Sequence, residues 1–106
     1  MTTYQSSPGL EGLLDSIHLC DCIEGIRALP EASVDIIVTS PPYNIGKPYS
    51  SHNDTMPRDD YLSWMERLAA ESRRVLKEEG SFFLNVGGKP SDPWIPLDVA
   101  QQFRSR

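Results

Sequence analysis

VDIIVTSPPY, residues 34–43, joins an apolar run to a rigid corner. Its first six residues are β-branched apart from Asp35, as in a strand that is buried on both faces of a parallel sheet. Ser40 then precedes two prolines, which fix φ and remove two backbone donors. Ligands bind in open α/β sheets at the carboxyl ends of the strands. The segment therefore predicts the interior of a parallel sheet with a candidate site at its end.

Strand and helix patterns alternate on both sides of this segment. Ile17–Cys20 reads as a short strand, and Asp21 is placed as the N-cap of a helix that runs to Leu29. A second helix, with apolar residues at 3.6-residue spacing, is predicted from Pro57 to a C-terminal glycine at Gly80. A third strand over Ser81–Val86 and a helix over Leu97–Arg104 follow. Helical connections between strands imply parallel pairing, so we expect an α/β layered sheet.

Length and composition narrow the possible function classes. The 106 residues allow one small domain or a piece of a larger one, and 39% hydrophobic with 24% charged residues predicts a folded chain. A net charge of -5 argues against a protein that binds nucleic acid through phosphate neutralisation alone. No apolar run reaches the length of a membrane span, and two cysteines are too few for a disulfide framework. We expect no membrane partner and a cytoplasmic location.

The corner at Ser40, Pro41, Pro42 and Tyr43 combines three kinds of group. Ser40 offers a hydroxyl, the prolines hold neighbouring carbonyls rigid, and Tyr43 offers an aromatic face. A planar base with an amino group matches this set, because its ring can stack on Tyr43 while its amine donates to Ser40 and to a carbonyl. The less specific interpretation is a rigid turn after a core strand.

Two other features allow alternative interpretations. His18, Cys20 and Cys22 alternate as metal ligands could, but a fourth ligand has no evident source, so core packing is favoured and no metal is expected. Asp21 can cap a helix, bind a ligand or do both. Gly87–Gly88 is either a turn or a close approach of backbone to the site.

Thr39–Gly46, TSPPYNIG, resembles the catalytic motif of the amino-group DNA methyltransferases, in which Asp, Asn or Ser precedes Pro-Pro and an aromatic residue. The resemblance extends over about Ile17 to Phe103 and includes Asp21, the segment Leu29–Asp35 and the helix that contains Tyr61 and Trp64. It implies a partial Rossmann-like parallel sheet of the S-adenosylmethionine-dependent type. It also implies methyl transfer to an exocyclic base amine of DNA, which requires the base to be flipped out of the duplex.

The resemblance assigns roles to individual residues. Ser40, Pro41, Pro42 and Tyr43 would be catalytic, and the serine form of the motif is commoner for cytosine N4 than for adenine N6. Asp21 matches an acid near the adenine of the cofactor, and Cys22 and Ser40 are the other predicted cofactor contacts. The predicted DNA contacts lie in the loop after the motif: Asn44, Lys47, Tyr49 and His52.

One family feature has no match in this sequence, namely the glycine-rich Phe-x-Gly-x-Gly loop that holds the methionine part of the cofactor. We therefore expect a partial catalytic domain at residues 15–106 and a missing cofactor-binding half supplied by the same gene or a second chain. Residues 1–14 are expected to form a flexible N-terminus, because residues 1–12 are rich in Thr, Ser, Gln, Pro and Gly and show no periodicity. Self-association through sheet edges is a further expected contact. The alternatives are a truncated, non-catalytic remnant, adenine N6 specificity, or methylation of RNA or protein.

Overall fold

The fold is small and mixed. A computed structural model describes residues 12–105, and the other residues of the predicted flexible N-terminus, together with Arg106, lie outside the described residues. The elements in chain order are α1 (Cys22–Arg27), β1 (Val34–Thr39), α2 (Arg58–Val75), β2 (Leu76–Leu84) and α3 (Ile95–Arg104). β1 and β2 pair in parallel, so the α/β class and the parallel sheet are confirmed. None of the helices in residues 12–105 is both long and apolar enough to cross a bilayer.

The start of the described chain corrects one prediction and confirms another. Ile17 and Leu19 are fully exposed, and the expected strand over Ile17–Cys20 is absent because β1 and β2 alone form the sheet in residues 12–105. An isolated strand has no partner for its backbone groups and therefore no reason to stay extended. Asp21 is the N-cap of α1, as predicted, and its carboxylate accepts from the Glu24 N–H at 3.2 Å.

The core lies between α2 and α3. The apolar face of α2 buries Tyr61, Met65 and Val75 completely, and Ile95 and Val99 of α3 close the other side. This is the stripe at helical spacing that the sequence predicts for the second helix. Arg58, the first residue of α2, forms ion pairs with Asp92 and Asp98 and so ties α2 to the start of α3.

The end of α2 differs from the prediction. The helix stops at Val75, β2 begins at once with Leu76, and Gly80 is a strand residue rather than a helix C-terminal glycine. Leu76 pairs with Val34, and this tertiary pairing overrides the helix propensity of the lysine and glutamates that follow. A Cβ at Gly80 would lie 2.9 Å from the Lys77 carbonyl oxygen and 3.1 Å from that of Asp35, so the glycine is required by close packing of backbone.

The two faces of the sheet have different surroundings. On one face Phe82 stacks against Phe103 of α3 with ring centroids 4.9 Å apart. On the other face Ile36, Val38 and Phe83 are 55%, 74% and 56% exposed. We call this set the open sheet face. The prediction that β1 is buried on both faces is therefore wrong for the described chain, because the only helices packed on the sheet lie on one side.

Candidate functional site

The proline corner lies where both strands end. Thr39 pairs with Leu84 in the last register position of the sheet, and the Asn85 N–H continues the ladder by donating to the Thr39 carbonyl at 2.9 Å. Ser40 and Asn85 therefore leave neighbouring strands side by side. This is the carboxyl edge of a parallel sheet, where polar side chains of successive strands converge.

Three polar side chains meet at this edge. The Ser40 and Tyr43 hydroxyl oxygens lie 3.0 Å apart, and either can donate. The Asn85 amide donates to Ser40 Oγ at 3.4 Å and to Tyr43 Oη at 3.3 Å. We call these three side chains the Ser40 cluster. It is exposed, so it offers hydrogen-bonding groups to a ligand rather than sealing an interior.

Asn85 was missed by sequence reasoning, which placed it inside the third strand without a role. The available signal was positional, because a polar residue that ends the strand paired with β1 must reach the same edge as Ser40. The Asn85 amide restricts where the hydroxyl hydrogens of Ser40 and Tyr43 can point. When it donates to both hydroxyl oxygens, the remaining hydrogen of the Ser40–Tyr43 pair is left to point outward.

The backbone of the corner is fixed from below by α2. Tyr61 is completely buried, and its hydroxyl donates to the Pro42 carbonyl at 2.7 Å. Burial first, and then the charge of Asp54, raise the pKa of Tyr61 to about 12, so the phenol remains a neutral donor. Pro41 is buried. One of the carbonyls that the sequence assigns to ligand binding, that of Pro42, thus already accepts a hydrogen bond within the protein.

The Tyr43 ring packs against the loop that leaves β2. A Cβ at Gly87 would lie 3.1 Å from Tyr43 Cε2 and 3.3 Å from Cδ2, so the ring approaches the backbone more closely than a larger residue would permit. The expected close approach of this glycine pair to the site is therefore observed for Gly87. Gly88 instead faces the Asp92 carbonyl oxygen, which lies 2.8 Å from its ideal Cβ position.

The loop between the corner and α2 is tied back on itself by one buried residue. Asp54 is 3% exposed, and its carboxylate accepts from the backbone N–H groups of Asn44, Ile45 and Lys47 at 3.1, 3.1 and 2.8 Å. The Gly46 N–H donates to the Asp54 main-chain carbonyl at 2.9 Å. Four consecutive amides after Tyr43 thus point at a single residue.

The predicted DNA contacts fall into three environments. Lys47 and Tyr49 are exposed. The Asn44 side chain pairs with the Met56 backbone, accepting from its N–H and donating to its carbonyl, each at 2.7 Å. His52 packs its ring 4.7 Å from that of Trp64 and 5.8 Å from that of Tyr49. Asn44 and His52 are therefore half-buried against structural partners, whereas Lys47 and Tyr49 are exposed, with the Tyr49 ring in edge contact with that of His52.

Two of the three predicted cofactor contacts, Asp21 and Cys22, line separate clefts, whereas the third, Ser40, lines neither of them and belongs to the Ser40 cluster. Asp21 lines a cleft of about 410 Å³ together with His52, Trp64 and Arg67. Cys22 lines a different one of about 430 Å³, together with His18, Cys20 and Leu29. Burial first, and then the charge of Asp21, raise the pKa of the Cys22 thiol, which disfavours the nucleophilic thiolate. Among residues 12–105, no group of three His, Cys, Asp or Glu side chains is arranged to hold a metal ion.

The sequence of this chain is similar to the sequences of DNA methyltransferases. The family model for N6 and N4 DNA methylases matches residues 34–104. The chain is 41% identical over 88 residues to the type II methyltransferase M.BglII of Bacillus subtilis, which covers 81% of this chain and 24% of that protein. It is 45% identical over 58 residues to the type II methyltransferase M.MjaVI of Methanocaldococcus jannaschii, covering 55% of this chain and 30% of that one.

A third relative has a base in its name. The DNA adenine methyltransferase YhdJ of Escherichia coli is 32% identical over 83 residues, covering 78% of this chain and 28% of that protein. The chain therefore spans about a quarter of the length of these curated relatives.

Proposed function

The chain belongs to the N6 and N4 DNA methylase family, and from this premise we propose that it forms the base-binding part of a DNA methyltransferase. The observation that supports the proposal most strongly is the Ser40 cluster at the carboxyl edge of the sheet. In the proposed reaction the exocyclic amine nitrogen of a flipped base would form a bond to a methyl carbon while the bond from that carbon to the sulfonium sulfur of the donor breaks, and the amine would release one proton to solvent. S-adenosylmethionine, when bound, supplies the activated methyl group.

Ser40 is proposed to hold the amine. The lone pair of a base amine is conjugated into the ring, and a hydrogen bond from the amine to Ser40 Oγ helps to localise that lone pair on the nitrogen. Ser40 can accept in this way when its own hydrogen points at Tyr43 Oη, 3.0 Å away. The Tyr43 hydroxyl then keeps its own hydrogen as a donor, so the cluster presents an acceptor beside a donor. An amine beside an unprotonated ring nitrogen is the complementary pattern in both cytosine and adenine.

Cytosine N4 is the proposed target. Position 40 carries a serine, and the serine form of the motif is the one that the resemblance associates more often with cytosine N4. Its neutral hydroxyl accepts an amine hydrogen less strongly than the carboxylate of the Asp form does. Adenine N6 is the competing target. Identification of the methylated nucleoside after digestion of the product DNA tests this step, because N4-methylcytosine and N6-methyladenine are separate species.

The proposed cofactor contact is at Asp21. Its carboxylate is exposed in a cleft of about 410 Å³ beside the Trp64 ring, a combination that fits the hydroxyl and amino groups and the flat ring of a nucleoside.

We also propose that the remaining part of the enzyme completes a Rossmann-like sheet with this chain, and that the enzyme is cytoplasmic. The open sheet face supports a contact between this chain and the remaining part of the enzyme, since parallel sheets are normally covered by helices on both faces. Self-association through the sheet edges competes with it, and light scattering of the chain alone distinguishes the two.

The proposed role of Ser40 is tested by methyl transfer. Labelled S-adenosylmethionine and duplex DNA are given to the enzyme that carries this segment, with Ser40→Ala compared against Ser91→Ala, an exposed serine in the turn before α3. Ser40→Ala is expected to lower turnover by roughly two to three orders of magnitude, the scale of losing one preorganised polar group. Near-normal turnover in Ser40→Ala removes Ser40 from the mechanism.

A further inference from the structure

The segment directly after Tyr43 has an unusual backbone. Asn44 and Gly46 have φ values of +61° and +88°. A backbone that alternates into the left-handed region turns successive N–H groups towards one point and forms a concavity that binds anions. Here the concavity is filled from within the chain, because the Asp54 carboxylate accepts from three of these groups.

The carboxylate has a specific geometry in this concavity. Oδ1 accepts from Asn44, whereas Oδ2 accepts from both Ile45 and Lys47. Both oxygens are needed, so an amide in place of the carboxylate would direct an NH₂ group at one or two backbone donors. His52 Nε2 lies 3.8 Å from Oδ1. Bonds between a charged acceptor and backbone amides are stronger than neutral ones, and burial strengthens them further.

We infer that Asp54 is a positioning residue for the proposed base site, holding Tyr43 in place through the backbone that follows it. The functional importance of Asp54 rests on the proposed function, whereas its effect on the position of Tyr43 follows from the observed hydrogen bonds. Tyr43 has the Pro42 tether on one side of it in the chain and the amides held by Asp54 on the other. With both sides fixed, the ring stays against Gly87 and its hydroxyl stays within reach of Ser40.

The position of the Tyr43 ring can be followed by NMR. Because the ring packs on Gly87, its ring current shifts the Gly87 resonances, and Tyr43→Leu gives their position without the ring. In Asp54→Asn the Gly87 signals are expected to move at least half of the way to that reference, while the methyl signal of buried Met65 stays unchanged. The amides of residues 44, 45 and 47 are expected to exchange at least about tenfold faster. Gly87 signals that stay at the wild-type position while these amides exchange faster overturn the inference.

Two further variants control the experiment. Asp59→Asn makes the same chemical change at an exposed position in the first turn of α2, and it is expected to leave the Gly87 signals in place. Asn44→Gly tolerates the positive φ, keeps the amide that Asp54 binds and removes the pairing with Met56; unchanged exchange of the amides of residues 44, 45 and 47 shows that the added backbone freedom has not released them from Asp54. The inference requires wild-type Gly87 signals in Asn44→Gly, whether or not Asp54→Asn folds. A displaced signal there assigns the positioning to Asn44 and overturns the role of Asp54. No nucleobase or methyl donor is present, so the outcome is independent of the Ser40 test.

Discussion

The Tyr61 hydroxyl donates to the main-chain carbonyl of Pro42 across 2.7 Å and joins the first turn of α2 to the proline corner. This contact connects the core to the candidate site, since the ring of Tyr61 is completely buried in the hydrophobic core. The stability of the core and the geometry of the corner are therefore linked through one phenol.

Removal of that phenol oxygen is expected to destabilise the fold. Tyr61→Phe keeps the ring but loses the hydrogen bond and leaves the Pro42 carbonyl without this donor, which should lower the free energy of unfolding by about 1 kcal/mol. Urea unfolding measures the difference. Tyr49→Phe, at a tyrosine that is 50% exposed, serves as control and should change it by less than about 0.5 kcal/mol. Equal midpoints for the two variants would contradict the expected role of the bond.

The same residue predicts a loss of stability at alkaline pH. Its pKa is raised from the ordinary value of 10.0 to about 12 in the folded protein, so the folded state holds the proton more tightly than the unfolded state. The contribution is fully present below pH 10 and is lost as pH rises through about 12, amounting to about 2 to 3 kcal/mol. Unfolding of the wild type and of Tyr61→Phe across this range checks it. A difference between the two that does not depend on pH would argue against the shift.

Replacement of Arg58 by lysine is expected to lower the stability of the fold. It pairs with both Asp92 and Asp98, and the hydrogen bond to Asp92 is the main cause that raises the pKa of its guanidinium. A lysine ammonium lacks the planar fork that serves two carboxylates, so Arg58→Lys should lose about 0.5 to 1 kcal/mol, and less at high salt. Arg67→Lys, on the exposed side of α2, is the control. A loss that is the same at low and high salt would exclude the ion pairs as its cause.

Asp21 allows its cap function to be separated from its proposed ligand function. Asp21→Asn retains a side-chain oxygen for the Glu24 N–H and should change stability by a few tenths of a kcal/mol at most, whereas Asp21→Ala should cost about 1 kcal/mol. Thermal unfolding by circular dichroism gives both values. If the carboxylate charge is needed for the proposed cofactor contact, calorimetry with the complete enzyme should find weakened cofactor binding in both variants.

The parts of the fold that sequence predicts are those decided by local chemistry. The cap at Asp21, the β-branched run of β1 and the stripe that buries Tyr61 and Met65 all follow from side chains a few positions apart. The end of α2 at Val75 does not, because it depends on the pairing of Leu76 with Val34, more than 40 positions earlier. The expected strand at Ile17–Cys20 failed for the same reason, since a strand exists only where another strand lies beside it.

The candidate site also combines contacts that follow from neighbouring residues with contacts that do not. Ser40 and Tyr43 are three positions apart on a rigid corner, so the contact between their hydroxyls follows from local geometry. Asn85 reaches the corner from a distant part of the chain and Asp54 from the other end of the loop that follows it, and an isolated asparagine or aspartate carries no pattern that reveals its partner. The positive φ at Asn44 and Gly46, which lets the loop surround the Asp54 carboxylate, is visible only in the structure.

The register of the sheet contains one irregularity with a practical use. Between two consecutive pairings β1 advances from Val34 to Ile36, whereas β2 advances from Leu76 to Ser81, so the surplus residues of β2 form an arch beside the ladder. Lys77, Glu78 and Glu79 on this arch are exposed. Because the ladder from the Ile36–Ser81 pair to the Thr39–Leu84 pair lies beyond the arch, a fluorescent label could be attached to an exposed side chain of the arch without altering these pairings. The arch thus offers a point for chemical tagging at the opposite end of the strands from the Ser40 cluster.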